Sequence, residues 1–303
     1  MRNAPASEKA PVGVFVGLAT LDVIHRIAKA PAVNQKITSS AQFVAAGGPA
    51  ANAAVTFAAL GGAAILVTAL GDDPVAELIR ADLAAYGVTV VDAATGTTRA
   101  VPVSAVSVVE STGDRSVVSL DAVNSDATPP DALGDLVARA DVVLVDGHHP
   151  LMARAAVEHG AARGVTLVVD AGRWKPVMIH IVPHVTDMVC SSDFRMPGTD
   201  TPESTAASLV RSGVRTVVTT HGGEPIDWWS DGDSGSVPVP PVEVVDTLGA
   251  GDAFHGAYSY FSTRGDGGIG ARVDRSARVA ALRCSVVGPR AWLSALPLDE
   301  TRK

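Results

Sequence analysis

The feature that most constrains this chain is a repeating alternation of short β-prone runs with Ala-, Leu- and Arg-rich stretches of helical length. Strand-like runs fall at Val12–Leu18, Ala64–Thr68, Val142–Val145, Val165–Val169, Met188–Cys190 and Val214–Thr219. Candidate helices lie between most of them, at Ala50–Leu60, Pro74–Tyr86, Asp131–Ala138, Leu151–Arg163 and Ser204–Arg211. Units of this size predict a parallel α/β sheet with helical crossovers.

One stretch breaks the rhythm. Val101–Val109 and Ser116–Leu120 are β-rich and joined by a turn containing Ser111-Thr112-Gly113-Asp114, which suits a hairpin. Gln35–Val44 has a similar β-prone, partly polar character. Segments 35–45 and 100–121 are therefore expected to pair into a small sheet lying over the main one as a lid; the competing reading is an edge extension of the main sheet. Val242–Val245, after Pro238, Pro240 and Pro241, has strand character, and Ser230–Ser236 suits an exposed turn. Residues 1–11 read as a loose tail before one main domain over 12–303.

Composition narrows the partners. A formal charge of −8 and five scattered lysines leave no basic footprint for nucleic acid, so a small substrate is expected. No window reaches the ~18 consecutive apolar residues of a membrane span, and Met1–Ala10 has no signal-peptide pattern. A cytoplasmic location follows as the expectation. Cys190 and Cys284 lack the spacing of a disulfide framework or a zinc site and read as buried thiols.

The chemistry concentrates in Asp246–Gly256, Asp-Thr-Leu-Gly-Ala-Gly-Asp-Ala-Phe-His-Gly. A small-residue turn that opens a helix, here expected over Ala253–Phe261, presents unpaired N–H groups and the positive end of the helix dipole to an anion. Asp252 stands directly behind Gly249-Ala250-Gly251. A carboxylate there would repel a resting diphosphate, but it suits a general base serving a hydroxyl that attacks phosphorus. The plainer reading is a helix-start aspartate favoured by the dipole. Phe254 stands where a dinucleotide fingerprint needs its third glycine, and the absence of any Gly-Lys pair excludes a Walker A loop.

A second constellation is Ala46-Gly47-Gly48-Pro49-Ala50-Ala51-Asn52. Asn52 can both donate and accept, as sugar hydroxyls do, and the glycines allow close contact; a plain helix-entry turn fits the same residues. His180 and His184 have the spacing of a helical metal pair, but Pro183 spoils that helix.

Gly47-Gly48-x-x-x-Asn52, followed by Gly61, Gly71 and Asp246-Thr247-x-Gly249-Ala250-Gly251-Asp252, resembles the ribokinase-like (PfkB) carbohydrate kinase family from Val12 to about Ala295. The resemblance implies a three-layer α/β/α fold with a mostly parallel central sheet and a small β-sheet lid. It also implies ATP-dependent transfer of the γ-phosphoryl group to a sugar hydroxyl. Asp252 would be the base and Gly249, Ala250 and Gly251 the anion hole. Asp22, Gly47, Gly48 and Asn52 would hold the sugar, and Asp246 would support the loop beside a monovalent cation such as K+. Thr220-His221-Gly222 matches a turn near ATP, with Pro225 where a further glycine is usual. At Val189–Phe194, Ser191 takes the Asn position and Phe194 the Glu position of an Asn-x-x-Glu motif that organises Mg2+ and phosphate. Magnesium is still expected, carried by the nucleotide phosphates.

Asp227-Trp228, His255 and Ala280–Cys284 resemble the sulfofructose kinase and ketohexokinase branch, where Lys36 would reach an anionic substituent; a solvated lysine is the alternative. Arg99, His148 and His149 are further anion-binding candidates. A homodimer through the lid is implied by the family. A nucleoside kinase, a sugar-phosphate kinase and a non-catalytic sugar sensor remain open at this point.

Overall fold

A computed structural model describes residues 9–98, 101–122, 126–265 and 267–296. Arg99 and most of the expected tail lie outside the described residues. The elements run β1 (Val12–Val16), β2 (Thr20–Ile27), β3 (Ala41–Gly47), α1 (Pro49–Ala59), β4 (Ala63–Thr68), α2 (Pro74–Ala85), β5 (Val88–Asp92), β6 (Val103–Val109) and β7 (Arg115–Val118). They continue α3 (Leu133–Ala138), β8 (Val142–Val145), α4 (Pro150–Ala161), β9 (Thr166–Ala171), α5 (Met178–Ile181), β10 (Asp187–Ser191) and α6 (Pro202–Arg211). The last are β11 (Thr216–His221), β12 (Glu224–Ser230), β13 (Asp233–Val237), α7 (Ala250–Ser262) and α8 (Gly268–Cys284).

The main sheet has nine strands in the order β13-β12-β11-β10-β9-β8-β1-β4-β5. It is parallel from β5 to β11, and only the edge pairs β11–β12 and β12–β13 are antiparallel. Successive strand residues face opposite layers, as a pleated strand requires. Phe15, Leu66, Leu144, Val168, Val189 and Val218 pack in the core that contains α1, α2, α7 and α8. Their neighbours Val14, Val67, Val143, Val169, Met188 and Val217 pack in the core that contains α3 to α6. The mostly parallel sheet expected from the alternation and the three-layer architecture implied by the resemblance are therefore both present.

A second sheet runs β3-β2-β6-β7. The β6–β7 hairpin matches the expectation, whereas in segment 35–45 the strand begins only at Ala41. Strand β2 is new: Asp22, His25 and Arg26 break its apolar pattern. Two further corrections concern the region before α7. Val242–Val245 forms no strand; Val242 and Val244 are exposed and the edge of the sheet is made by β12 and β13. The turn expected over 230–236 narrows to Asp231-Gly232, with φ of 51° and 85°, the doubly left-handed geometry that matches hairpin twist, and the rest of that segment belongs to β12 and β13.

The chain leaving β1 goes on to β4 on one side, and the chain leaving β8 goes on to β9 on the other, so a crevice opens at the carboxyl ends of these two neighbouring strands. Asp146, just beyond β8 and fully buried, accepts the N–H groups of Leu18 (2.8 Å) and Ala50 (3.2 Å) and so ties the start of α1 to that edge. Helices α1 and α7 cross closely because α1 is rich in alanine and α7 offers Gly256, where a Cβ would lie 2.3 Å from the Ala53 carbonyl oxygen. Gly256→Ala should force the helices apart and lower the unfolding free energy by about 1–3 kcal/mol, the usual cost of overpacking. Urea titrations of the two proteins at one pH measure it, and equal midpoints would contradict this account of the crossing.

Candidate active site

The two glycine turns meet at the crevice. Gly48, the residue before α1, has φ of 96°, and a Cβ there would sit 2.4 Å from the Leu18 carbonyl oxygen. It therefore needs glycine on both conformational and steric grounds. Gly249, the residue before α7, has φ of 71°. These turns place Asn52 and Asp252 in the opening turns of their helices, and Asn52 Nδ2 donates to Asp252 Oδ2 at 2.8 Å.

Arg290 fixes the other end of that amide, a role sequence reading missed. Its Nη1 donates to Asn52 Oδ1 at 3.1 Å, while Nη2 donates to the Ala46 carbonyl at 2.7 Å and to Asp82 Oδ2 at 2.9 Å. Arg290 lies past the last recognisable motif, and only the fold brings it beside residues more than two hundred positions away. Asp22 sits on β2 facing the same cavity, which is lined by Ile24, Asn52, Leu248, Gly249 and Arg290 among others. Asp22 Oδ1 accepts from Thr20 Oγ1 at 2.7 Å. Burial raises its pKa, against the lowering effects of Thr20, Ser104 and Arg290. A Cβ on Gly47 would lie 2.1 Å from Asp22 Oδ2, so Gly47 leaves that carboxylate its room.

Asp252 is half-buried, and its pKa is raised by loss of solvent and then by the like charge of Asp170. The Asn52 hydrogen bond, His255 and Arg115 pull it back down. Asp170, one residue before the end of β9, lies near His255, whose Nδ1 is 3.4 Å from Asp170 Oδ2 and 2.7 Å from the Gly251 carbonyl oxygen. Of the expected anion-hole amides, that of Ala250 reaches the Thr247 carbonyl at 3.3 Å. Helix geometry leaves first-turn amides such as that of Gly251 without an intrahelical acceptor. Apart from its chain neighbours and its own helix backbone, no atom lies within 4 Å of a Cβ built on Gly251, so that side of the turn is open to a ligand.

On the expected nucleotide side, Ser191 and Thr220 are paired in register across β10 and β11. Thr220 Oγ1 donates to the Cys190 carbonyl at 3.4 Å, and Gly222, with φ of 66°, turns beside open space. Ser191 Oγ donates to the Gly172 carbonyl at 2.8 Å. Phe194, at the Glu position, is buried against Trp174 with ring centroids 6.1 Å apart. That position is core and offers no carboxylate to Mg2+. Among the described residues no group of three or more His, Cys, Asp or Glu is arranged to hold a metal ion.

Asp246, expected beside a monovalent cation, is already engaged on both carboxylate oxygens. Its Oδ1 accepts from the Leu248 N–H at 3.0 Å, and its Oδ2 accepts from the Gly288 N–H at 3.1 Å and lies 3.3 Å from Arg283 Nη2. Lys36 is exposed and is not among the cavity-lining residues. His148 Nδ1 faces the Asp146 carboxylate at 3.1 Å, the wrong neighbour for an anion site, and His149 is buried. His180 and His184 are exposed, separated by the break that Pro183 imposes.

Residues 13–295 match the family described as pfkB family carbohydrate kinase, and the chain belongs to that family. It is thus a phosphotransferase of the sugar and nucleoside kinase type acting on a sugar hydroxyl. It is 25% identical to the ribokinase of Bacillus subtilis (strain 168) over 253 residues, 80% of this chain and 83% of the relative. Identity is also 25% to the deoxyribokinase of Salmonella typhi, over 297 residues, 90% of this chain and 92% of the relative. The fold superposes on Arabidopsis thaliana ribokinase complexed with ribose and ATP at a TM-score of 0.77 and 22% identity, over 97% and 98% of the two chains. Among the described residues, no helix is long and apolar enough to cross a membrane.

The surroundings of Asp252 predict how activity responds to acid. With its pKa raised, Asp252 is protonated at a higher pH than an ordinary aspartate, and in the role of base expected from the sequence it should make kcat/KM fall on an acid limb above the usual carboxylate range. Asp170→Asn removes a like charge and should move that limb to lower pH, whereas Asn52→Leu removes a donor and should move it up. Profiles of kcat/KM against pH for the three proteins test both signs.

Proposed function

We propose that this chain transfers the γ-phosphoryl group of ATP to a hydroxyl of a neutral sugar, with Asp252 as general base. The observation that carries this reading is the hydrogen bond to Asp252 from Asn52, which lines a cavity together with Asp22. A sugar hydroxyl seated between Asn52 and Asp252 would replace that mutual bond with two of its own. Asp22 would accept from a second hydroxyl, and Gly47 and Gly48 would let the ring approach the backbone. Asp252 then takes the hydroxyl proton, the oxygen bonds to the γ-phosphorus, and ADP leaves with the electrons of the broken P–O bond. The turn Gly249-Ala250-Gly251 would hold the charge on the transferred group. Ser191, Thr220 and Gly222 would flank the nucleotide. Magnesium would be held mainly by the nucleotide's own phosphates, since the Asn-x-x-Glu position supplies no carboxylate.

Charge pairing favours a neutral acceptor over a sugar phosphate. Arg290 is paired with Asp82 and Arg283 with Asp246, so both cavity arginines already have carboxylate partners. The lysine expected to meet an anionic substituent, Lys36, is solvated instead. Against the sulfofructose branch, Trp228 lines a separate cavity with Asp187 and Arg272 rather than the sugar cavity.

The four-stranded sheet would act as a lid within a single kinase domain, closing over the acceptor and excluding water. Its outer face also supports a homodimer. Val44, Val23, Ala105 and Val118 are register partners across all four strands, and Val44 and Val118 are 53% and 75% exposed. An apolar row of this kind is what a partner surface covers. Val118→Asp combined with Val44→Asp should shift the protein from dimer to monomer in sedimentation velocity, while a monomeric unmodified protein would reject the dimer.

ATP depletion screened across sugars, sugar phosphates and nucleosides tests the activity, with turnover expected on one or more neutral sugars. Asp252→Asn should then reduce kcat by about two to four orders of magnitude with sugar affinity largely kept, the range for a lost general base. Near-normal turnover in that variant would remove Asp252 from the role.

A further inference from the structure

Resting on the phosphoryl-transfer reading above, we propose that the guanidinium of Arg283 is the resident cation of the Asp246 loop, so that this kinase needs no potassium or other monovalent ion there. Arg283 lies on the last turn of α8 and is 2% exposed. Its Nη2 lies 3.3 Å from Asp246 Oδ2, and its Nη1 donates to the Val286 carbonyl at 3.1 Å. A guanidinium taken so completely out of water requires a carboxylate and further acceptors, and these two groups supply them.

The oxygens that a free ion would need are already committed. Asp246, also 2% exposed, accepts backbone N–H groups on both carboxylate oxygens, from Leu248 and Gly288. The Cys284 carbonyl receives the N–H groups of Val245 at 2.9 Å and Asp246 at 3.2 Å. The Val286 carbonyl faces the guanidinium. A monovalent ion bound beside Arg283 would also meet a fixed like charge at short range in a site with little water to screen it. Arginine stays charged throughout the working pH range, so its charge is permanent.

The position matters for the proposed chemistry because the pair holds the approach to the anion-binding turn. Asp246 fixes Leu248, the residue directly before Gly249, and both line the cavity together with Arg283. Gly288, held by the other oxygen of Asp246, lies against the ring of Phe43 on β3; a Cβ there would come within 3.1 Å of that ring. A tethered guanidinium thus does two things that a bound ion would do: it neutralises Asp246 and sets the loop. It does both without drawing on the ions of the solution.

The test uses the full-length protein in potassium, sodium or tetramethylammonium chloride at equal ionic strength, with turnover and melting temperature measured in each. Turnover should vary by no more than about twofold among the three salts, a change too small for a lost transition-state contact, and potassium should give no specific rise in melting temperature. Saturable activation by potassium, or a potassium-specific stabilisation, overturns the proposal while leaving the kinase reading intact. If no acceptor is phosphorylated in any salt the kinase reading fails, and the melting series still decides the cation question. In tetramethylammonium, Arg283→Ala should lose about tenfold or more in turnover, as for loss of a preorganised charge, and recover part of it with potassium or guanidinium chloride. Unchanged turnover of that variant in tetramethylammonium would also overturn the proposal. Should the variant not fold, the wild-type salt series stands alone.

Discussion

The close crossing of α1 and α7 is the contact on which the site depends. Gly256 lies directly against the Ala53 carbonyl, and Ala50, Ala51, Ala53 and Ala54 in the first half of α1 are all buried. Only small residues let two helices approach this far, and a crossing even one methyl wider would move their amino ends apart. Because Asn52 and Asp252 occupy the opening turns of those helices, their 2.8 Å hydrogen bond follows from packing at the next residue of α1 and one turn further along α7. The buried Asp146 carboxylate acts in the same direction by holding Leu18 and Ala50 to the end of β8. The geometry at the crevice is set by the layer beneath it.

This dependence explains what could and could not be read from the amino-acid sequence. The central strands are apolar on both sides because helices cover both faces, so β1, β8, β9, β10 and β11 were legible from their runs alone. Strand β2 was not, because Asp22, His25 and Arg26 give it the polarity of a loop. Asp22 faces the cavity and Arg26 reaches the Val245 carbonyl at 3.0 Å, so two of those polar residues serve the interior of the small sheet. Val242–Val245 misled for the converse reason: it is apolar enough for a strand, yet it crosses open surface between the sheet edge and α7. The glycine motifs and Asp252 were visible because their backbone demands leave glycine in fixed spacing. Arg290 and the Arg283–Asp246 pair were not, since a long-range ion pair leaves no local pattern.

The charges near the cavity are arranged in closed pairs. Arg290 with Asp82 and Arg283 with Asp246 join segments distant in sequence, and neither arginine presents an unpaired charge to the cavity. Buried pairs of this kind contribute less to net stability than to the choice of one arrangement, because desolvation offsets much of the Coulomb attraction. Asp252 is set apart from them. Its carboxylate has a neutral amide as its hydrogen-bond donor and Asp170 as an unfavourable neighbour, and both keep its proton affinity higher than an arginine partner would. An arginine hydrogen-bonded to Asp252 would lower its proton affinity further than the charge of Arg115 does, so a neutral amide donor suits the proposed role of base.

The small sheet and the glycine turn are bonded to one another as well as adjacent. Thr247 donates both its N–H, at 3.1 Å, and its hydroxyl, at 2.8 Å, to the carbonyl of Gly113 at the tip of the β6–β7 hairpin. Arg115 on β7 reaches Thr247 Oγ1 at 3.3 Å, and Arg26 on β2 reaches Val245. Leu248 packs with Ile24, Phe43, Val106 and Val108 in the core of the small sheet. A movement of that sheet would therefore pull on residues 245–248, immediately before the turn proposed to stabilise the transferred phosphoryl group. Closure over an acceptor and alignment of the anion-binding amides then become one mechanical event. Such coupling lets acceptor binding complete the catalytic arrangement, which in turn disfavours transfer to water when no sugar is bound.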